Sequence, residues 1–279
     1  METSVSEFSP HISPLHKRYR QDLAMPEMWN DTLDVILSHR SVRGYLPDAL
    51  DPGVLPALLA AASSAATSSN LQSWSVISVE NPESRARLSA IAHNQKHVID
   101  APLFLVWLVD LNRSQKIAEL HGEAAEGLSY LETFLVGVVD ASLAAQNAMV
   151  AAESFGLGSI FIGGMRNDPL AVAAELGLPP NVFALFGQCV GKVDTSRRAD
   201  VKPRLPQEAV FFRDKYGFDE KCLEAVQSYD ARAREFQREQ GMREQDWTKQ
   251  ISRRVNSEES LDGRHVMRDV LNKLGFALK

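Results

Sequence analysis

Cysteine is nearly absent from this chain: Cys189 and Cys222 are its two copies in 279 residues, with no CxxC and no Cys/His spacing of the kind that holds zinc. A disulfide framework, a redox dithiol and a structural zinc site are therefore not expected, and a reducing compartment, the cytoplasm, is. A secretory core is missing too, because METSVSEFSPHISPLHKRYR carries Ser, Pro and charge where an apolar block would stand. Positive charge is not in excess. Thirty Lys plus Arg against 36 Asp plus Glu give a formal charge of −6, so no global field would hold a polyanion, and a nucleic-acid partner is not expected. GxGxxG at a strand-to-helix turn, the P-loop, GxSxG, HExxH and the EF-hand loop are all missing. Gly156 and Gly158 come where a helix ends before a strand, the wrong order for a dinucleotide fingerprint. A Ser/His/Asp triad drawn from scattered positions stays open.

What is present is an ordinary globular composition, 44% hydrophobic and 24% charged, in a chain long enough to bury a large core. Charge is uneven. From Tyr229 to Lys279 there are 11 Lys/Arg and 9 Asp/Glu, a local +2 that leaves −8 for residues 1 to 228. A solvated helical tail and a tail that meets a phosphate are both compatible with this.

Residues 1–28 read as an extension without periodicity, expected to be flexible, and the first element as a helix over Asp31 to Ser38 capped by Asn30 or Asp31. A helix follows Asp51-Pro52, with Asp as cap and Pro at the first helical position, and ends in the loop Ser63 to Asn70. Trp74 to Glu80 alternates as a strand does, and Asn81-Pro82 opens another helix. Pro102 to Asp110 is a continuous apolar run of strand length, expected at the centre of a sheet. The longest helix is expected between about Gly127 and Phe155. Asp140, Ser142, Gln146 and Asn147 interrupt its apolar segment, which argues for a buried helix or subunit interface and against a membrane span. SIFIG, a helix after Asp168-Pro169 and the strand VFALFGQCVG complete a layered α+β or α/β pattern.

Four segments carry candidate chemistry. His39-Arg40-Ser41-Val42-Arg43 sets two guanidiniums, a hydroxyl and an imidazole close together, which suits a phosphate, although Arg at a helix C-terminus also serves the helix dipole. Lys202 and Arg204 flank Pro203, two cations at i and i+2, or simply a surface turn. The hydroxyl and amide loop Ser63 to Gln72 is a polar connection or a ligand loop. Phe161-Ile162-Gly163-Gly164 ends a strand in two residues without side chains, where a flat ligand could approach the backbone, or where the chain simply turns.

In this order and spacing, HRSVRGY, TSSNLQ, NQKHV, DASLAAQNAMVAAESFGLG, IFIGGMRND, LFGQCVGK and DVKPRLP resemble segments of the nitroreductase family of FMN-dependent enzymes, in particular its oxygen-insensitive NADPH nitroreductases and NADPH–flavin oxidoreductases. The resemblance runs from about Asp31 to the C-terminus. It implies an α+β fold, a three-layer α/β/α sandwich with a mainly antiparallel mixed sheet, over residues 29–279, with residues 205–279 as a C-terminal helical excursion. It implies FMN held by His39, Arg40, Ser41 and Arg43, with Lys202 and Arg204 closing the phosphate side and Ser69 and Gln95 reaching in from other loops. Phe161, Ile162, Gly163 and Gly164 would line the isoalloxazine, Phe161 standing where some relatives have tyrosine. Arg43 is the candidate for charge near flavin N1. NADPH as co-substrate, ping-pong hydride transfer to a nitroaromatic, quinone or flavin, and a homodimer whose subunits share each FMN site are implied as well. Arg238 and Arg243 are the candidates for the NADPH 2′-phosphate. A flavin reductase feeding a monooxygenase and a non-catalytic flavin-binding protein are the alternatives.

Overall fold

The structure is a computed structural model that describes residues 13–197 and 199–279. In chain order the helices are α1 (Pro14–Tyr19), α2 (Asp31–Leu37), α3 (Val54–Ser63), α4 (Pro82–Ile91), α5 (His97–Asp100), α6 (Asn112–Leu120), α7 (Leu131–Ser154), α8 (Pro169–Leu176), α9 (Glu220–Glu239), α10 (Trp247–Arg254) and α11 (Met267–Lys273). The strands are β1 (Trp74–Ser78), β2 (Leu103–Asp110), β3 (Gly158–Ile162) and β4 (Val182–Gly191). The chain divides into two compact units, Met1–His39 with Asp200–Arg254, and Arg40–Ala199 with Val255–Lys279.

The larger unit holds one four-stranded sheet in the order β1-β2-β4-β3, every neighbouring pair antiparallel. The apolar run predicted to be central is β2, buried along nearly its whole length because both sheet faces are covered. On one face Phe104, Val106, Leu108, Ile160, Ile162 and Cys189 pack with Leu88, Val98 and Val172 of α4, α5 and α8. On the other, Leu103, Leu105, Trp107 and Val190 pack with Leu58 and Ala62 of α3 and with Ala144, Ala145, Ala148 and Ala152 of α7. The small residues of α7 let it lie close against the sheet, and burial of this apolar area at about 25 cal/mol per Å² is the main stabilising term. The helix is long and apolar enough to cross a membrane by composition alone, and its packing on the sheet is that of a core helix. Inside the sheet, Gln188 is fully buried with a partner for each polar atom of its amide: its Oε1 accepts from Trp107 Nε1 at 2.9 Å and its Nε2 donates to Ser159 Oγ at 3.0 Å. The register slips once, between Trp107 and Leu108, and the carbonyl of Leu185 at that bulge accepts from Arg166 at 2.5 Å.

The predicted Asn-Pro and Asp-Pro helix starts are present, with Asn81 accepting from Ser84 N at 2.9 Å and Asp168 from Ala171 N at 3.0 Å, each cap contributing about 1 kcal/mol. Two expectations are corrected. The helix after Asp51-Pro52 starts at Val54, because Asp51 accepts from Gly53 N through its side chain and from Val54 N through its carbonyl, forming a turn ahead of the helix. The stretch read as a flexible extension without periodicity contains α1, started by Pro14 and capped by Ser13, whose Oγ accepts from His16 N at 3.1 Å. Residues 1–12 of that extension lie outside the described residues.

The smaller unit is built on α9, whose Tyr229, Ala233 and Phe236 are buried. Tyr229 meets Trp247 of α10 edge-on at 5.4 Å between ring centroids, and Asp230 accepts from both Thr248 N and Thr248 Oγ1. Arg20, in the left-handed conformation that closes α1, is paired with Glu239 and lies 3.3 Å from Glu235, and these carboxylates hold its guanidinium above its usual pKa. Both cysteines are free and buried, Cys189 in the larger unit and Cys222 in the smaller.

Candidate functional site

Helix α2 stops at Leu37 with Ser38 as its C-cap, and no basic residue lies in its last turn. Arg40 and Arg43 therefore do not serve the helix dipole. They stand on an extended segment fixed to the sheet: Ser41 bridges Ser159 in parallel, Val42 N donates to Ser159 O at 3.0 Å, and the Val42 side chain is buried in the core. Burial of Val42 turns its neighbours Ser41 and Arg43 outward, since side chains alternate along extended backbone. Tyr45 locks this register, its hydroxyl donating to Val42 O at 2.9 Å. Among the described residues, neither the Arg40 nor the Arg43 guanidinium has a hydrogen-bond or ion-pair partner. Two preplaced cations without a carboxylate are a donor set for an anion.

The hydroxyl loop is more constrained than a polar connection needs to be. Ser69, Asn70 and Gln72 all have positive φ, at 49°, 56° and 51°, a conformation costing roughly 1 kcal/mol or more for each non-glycine residue. Asp140 of α7, buried to 1% exposure, holds the loop in place. Its carboxylate accepts from Thr67 Oγ1 at 2.7 Å, Ser73 N at 3.0 Å and Ser68 N at 3.2 Å. Arg113 of α6 donates to the carbonyls of Gln72 and Trp74. Ser69 is thereby presented at the surface on a rigid loop.

At the end of β3 the two glycines have different reasons. A Cβ on Gly164 would lie 2.7 Å from Ala92 Cβ, so glycine there admits the end of α4, whereas a Cβ on Gly163 would meet only the Arg166 guanidinium at 3.4 Å. Ile162 points into the core, and Phe161 packs on Phe186 at 4.9 Å on the other face of the sheet. Gln95 is half-buried, its carbonyl engaged by Ser89 Oγ and Val98 N, and its side-chain amide has no partner among the described residues. Two residues on, His97 is buried with Nε2 unpartnered. Burial, then the charges of Arg43 and Arg197, push the imidazole below its ordinary pKa, with Asp100 opposing, so it is neutral at pH 7. The HRSVR segment and the NQKHV segment are therefore electrostatic neighbours.

In the smaller unit, Lys202 and Arg204 are exposed and Pro203 between them is buried, so the two cations share one side. Tyr229 OH donates to Pro203 O at 2.8 Å, and Arg18 takes the carbonyls of Lys202 and His39. Of the two 2′-phosphate candidates, Arg238 is bonded through Nε and Nη2 to both oxygens of Glu244, at 2.9 and 3.0 Å. Arg243 is exposed and has no partner among the described residues. Asp140, Arg113 and Arg18 were not singled out as supports of this kind by the sequence. Of the three, Asp140 carried a signal, a carboxylate in the middle of an otherwise apolar helix.

The Nitroreductase family model matches residues 36–192, and the model of the Nitroreductase family C-terminal domain matches residues 202–279. The FMN reductase (NADPH) of Bacillus subtilis is 39% identical over 226 residues, 80% of this chain and 90% of the relative. The oxygen-insensitive NADPH nitroreductase of Salmonella typhimurium is 36% identical over 251 residues, 89% of this chain and 99% of its own length. The solved NfrA1 nitroreductase of B. subtilis superposes with a TM-score of 0.82 at 36% identity, covering 88% of this chain and 99% of that one. The family models, the relatives and the solved structure match along most of the chain, and the chain belongs to the nitroreductase family.

Proposed function

We propose that this chain works as a cytoplasmic homodimer that oxidises NADPH and reduces a small nitroaromatic, quinone or flavin through bound FMN. Relatives bearing the names FMN reductase, NADPH–flavin oxidoreductase and nitroreductase support the class of reaction. The single observation that carries it to this chain is the Arg40–Arg43 pair, two arginines on a backbone segment bonded to the edge strand β3, whose guanidiniums meet no carboxylate among the described residues. FMN, when bound, would supply the redox chemistry, a hydride accepted from NADPH and two electrons given to the acceptor, so the chain itself need provide no nucleophile or acid/base pair. The chain's own residues bind and orient. We assign His39, Arg40, Ser41, Arg43, Ser69, Gln95, Phe161, Ile162, Gly163, Gly164, Lys202 and Arg204 to FMN. Arg43 would offer a cation to the negative charge of a reduced flavin near N1 and the C2 carbonyl. Residues 29–279 are read as the flavin-binding part, with 205–279 as its excursion, and Arg243 as the residue for the NADPH 2′-phosphate, since Arg238 already has Glu244.

The purified protein is expected to be yellow, to lose its flavin absorbance on anaerobic mixing with NADPH, and to regain it on addition of nitrofurazone, benzoquinone or FMN. Flavin that binds but does not bleach would mark a flavin-binding protein instead. The name of the B. subtilis relative favours a second reading, a flavin reductase, and turnover on free FMN well above turnover on nitrofurazone and benzoquinone would select it.

Dimerisation is supported by α7, where Leu131, Leu135, Val139 and Leu143 recur every four residues and are 41 to 53% exposed. A two-fold interface uses the same patch of both subunits, and this stripe offers such a patch. Replacing Leu135 and Val139 with glutamate is expected to convert a dimer to monomers by light scattering. A wild-type monomer, or a variant that stays dimeric, would refute this interface.

A further inference from the structure

We propose that Arg18 is a positioning residue for the flavin phosphate, tying the His39 backbone and the Lys202–Arg204 backbone into one rigid cation cradle. The inference rests on the assignment of Lys202 and Arg204 to FMN made above. Arg18 lies on α1, before either range matched by the family models, yet its partners sit at the first residues of both ranges. Its Nη1 donates to Lys202 O at 2.8 Å, and its Nη2 donates to Leu37 O at 2.9 Å and His39 O at 2.7 Å. Its own carbonyl accepts from Arg204 N at 3.0 Å. The side chain is 6% exposed.

With Pro203 buried against Tyr229, Lys202 and Arg204 on either side of it are exposed, and the Arg204 guanidinium reaches back to the same Lys202 carbonyl that Arg18 holds, at 3.0 Å. A planar guanidinium has donors that diverge to three carbonyls, which a single ammonium nitrogen cannot match. Cations on a fixed backbone give up less freedom on binding a phosphate than cations on a mobile one. The Arg20 pairings with Glu235 and Glu239 anchor the end of the same short helix to α9.

The test compares flavin-free wild type, Arg18→Met and Arg18→Lys for binding of FMN and of riboflavin, which differ by the phosphate alone, by quenching of flavin fluorescence. Arg18→Met is expected to raise the Kd for FMN about tenfold or more and that for riboflavin less than about twofold, with Arg18→Lys in between. A general loosening of the fold would weaken both flavins alike. Should Arg18→Met not fold, Arg18→Lys carries the comparison. An unchanged FMN-to-riboflavin ratio in the folded variants, or equal loss of both flavins, overturns the role of Arg18. A wild type that does not prefer FMN to riboflavin instead overturns the phosphate assignment of Lys202 and Arg204 itself.

Discussion

The double replacement Lys202→Met and Arg204→Met is expected to raise the Kd for FMN about a hundredfold to ten-thousandfold while leaving the flavin-free protein nearly as stable as before. The first half follows from charge. Each charge-assisted hydrogen bond to a phosphate contributes roughly 1.5 to 3 kcal/mol, and every 1.4 kcal/mol is about a factor of ten in affinity. The second half follows from exposure. Both residues are exposed; Arg204 Nη1 bonds the carbonyls of Lys202 and Pro203, and Lys202 Nζ lies 5.9 Å from the Phe236 ring centroid. Methionine keeps the aliphatic stem, and losses at such positions are below about 1.5 kcal/mol. Isothermal titration of flavin-free protein with FMN, alongside thermal melts, separates the two effects. A Kd within threefold of wild type would remove these residues from the cofactor site.

Asp140→Ala is expected to lower stability by about 3 to 5 kcal/mol, and the melting temperature of the larger unit by roughly 6 to 20 °C. The carboxylate is buried and accepts from one hydroxyl and two backbone amides, and removing it leaves Ser73 N, on a residue 1% exposed, with no acceptor. An unmade buried hydrogen bond costs more than a made one contributes. Asp140→Asn keeps one acceptor oxygen but turns a donor toward donors, and should lose about half as much. The loop carrying Ser69 responds first, because its left-handed residues are held by these bonds. Amide exchange over residues 68–73 should quicken in both variants before exchange in β2 or β4 does. A melting temperature within a degree of wild type for Asp140→Ala would show that the loop is held by something else.

The elements that were legible in the sequence are those whose signal is local. The apolar runs of β2 and β4 are long enough to require burial, and Asn81-Pro82 and Asp168-Pro169 combine a cap with a preset φ. Asp51-Pro52 has the same composition, yet Gly53 intervenes and the Asp51 oxygens close a turn first. Helix α1 is too short for any periodicity to register, and it is secured by Arg18 and Arg20, whose partners lie far along the chain. The HRSVR segment could be recognised as a donor set, but the competing role at a helix end is removed only by knowing that α2 stops at Leu37. The FIGG segment could be recognised as a close-approach point, while which glycine is needed for packing depends on Ala92. Asp140 as a loop anchor was out of reach for the same reason, its partners being some seventy residues back.

The two free cysteines give this chain a native pair of reporters. Cys189 sits at the centre of the sheet in one unit and Cys222 on the first turn of the long helix in the other, both buried, and burial pushes the Cys189 thiol well above its ordinary pKa. Thiolates, not thiols, attack maleimides and disulfide reagents, so alkylation of Cys189 waits on opening of the sheet. Peptide mapping after timed alkylation therefore reads the opening rate of each unit separately, with no introduced label. The same chain, with and without flavin, then reports which of the two units the cofactor closes.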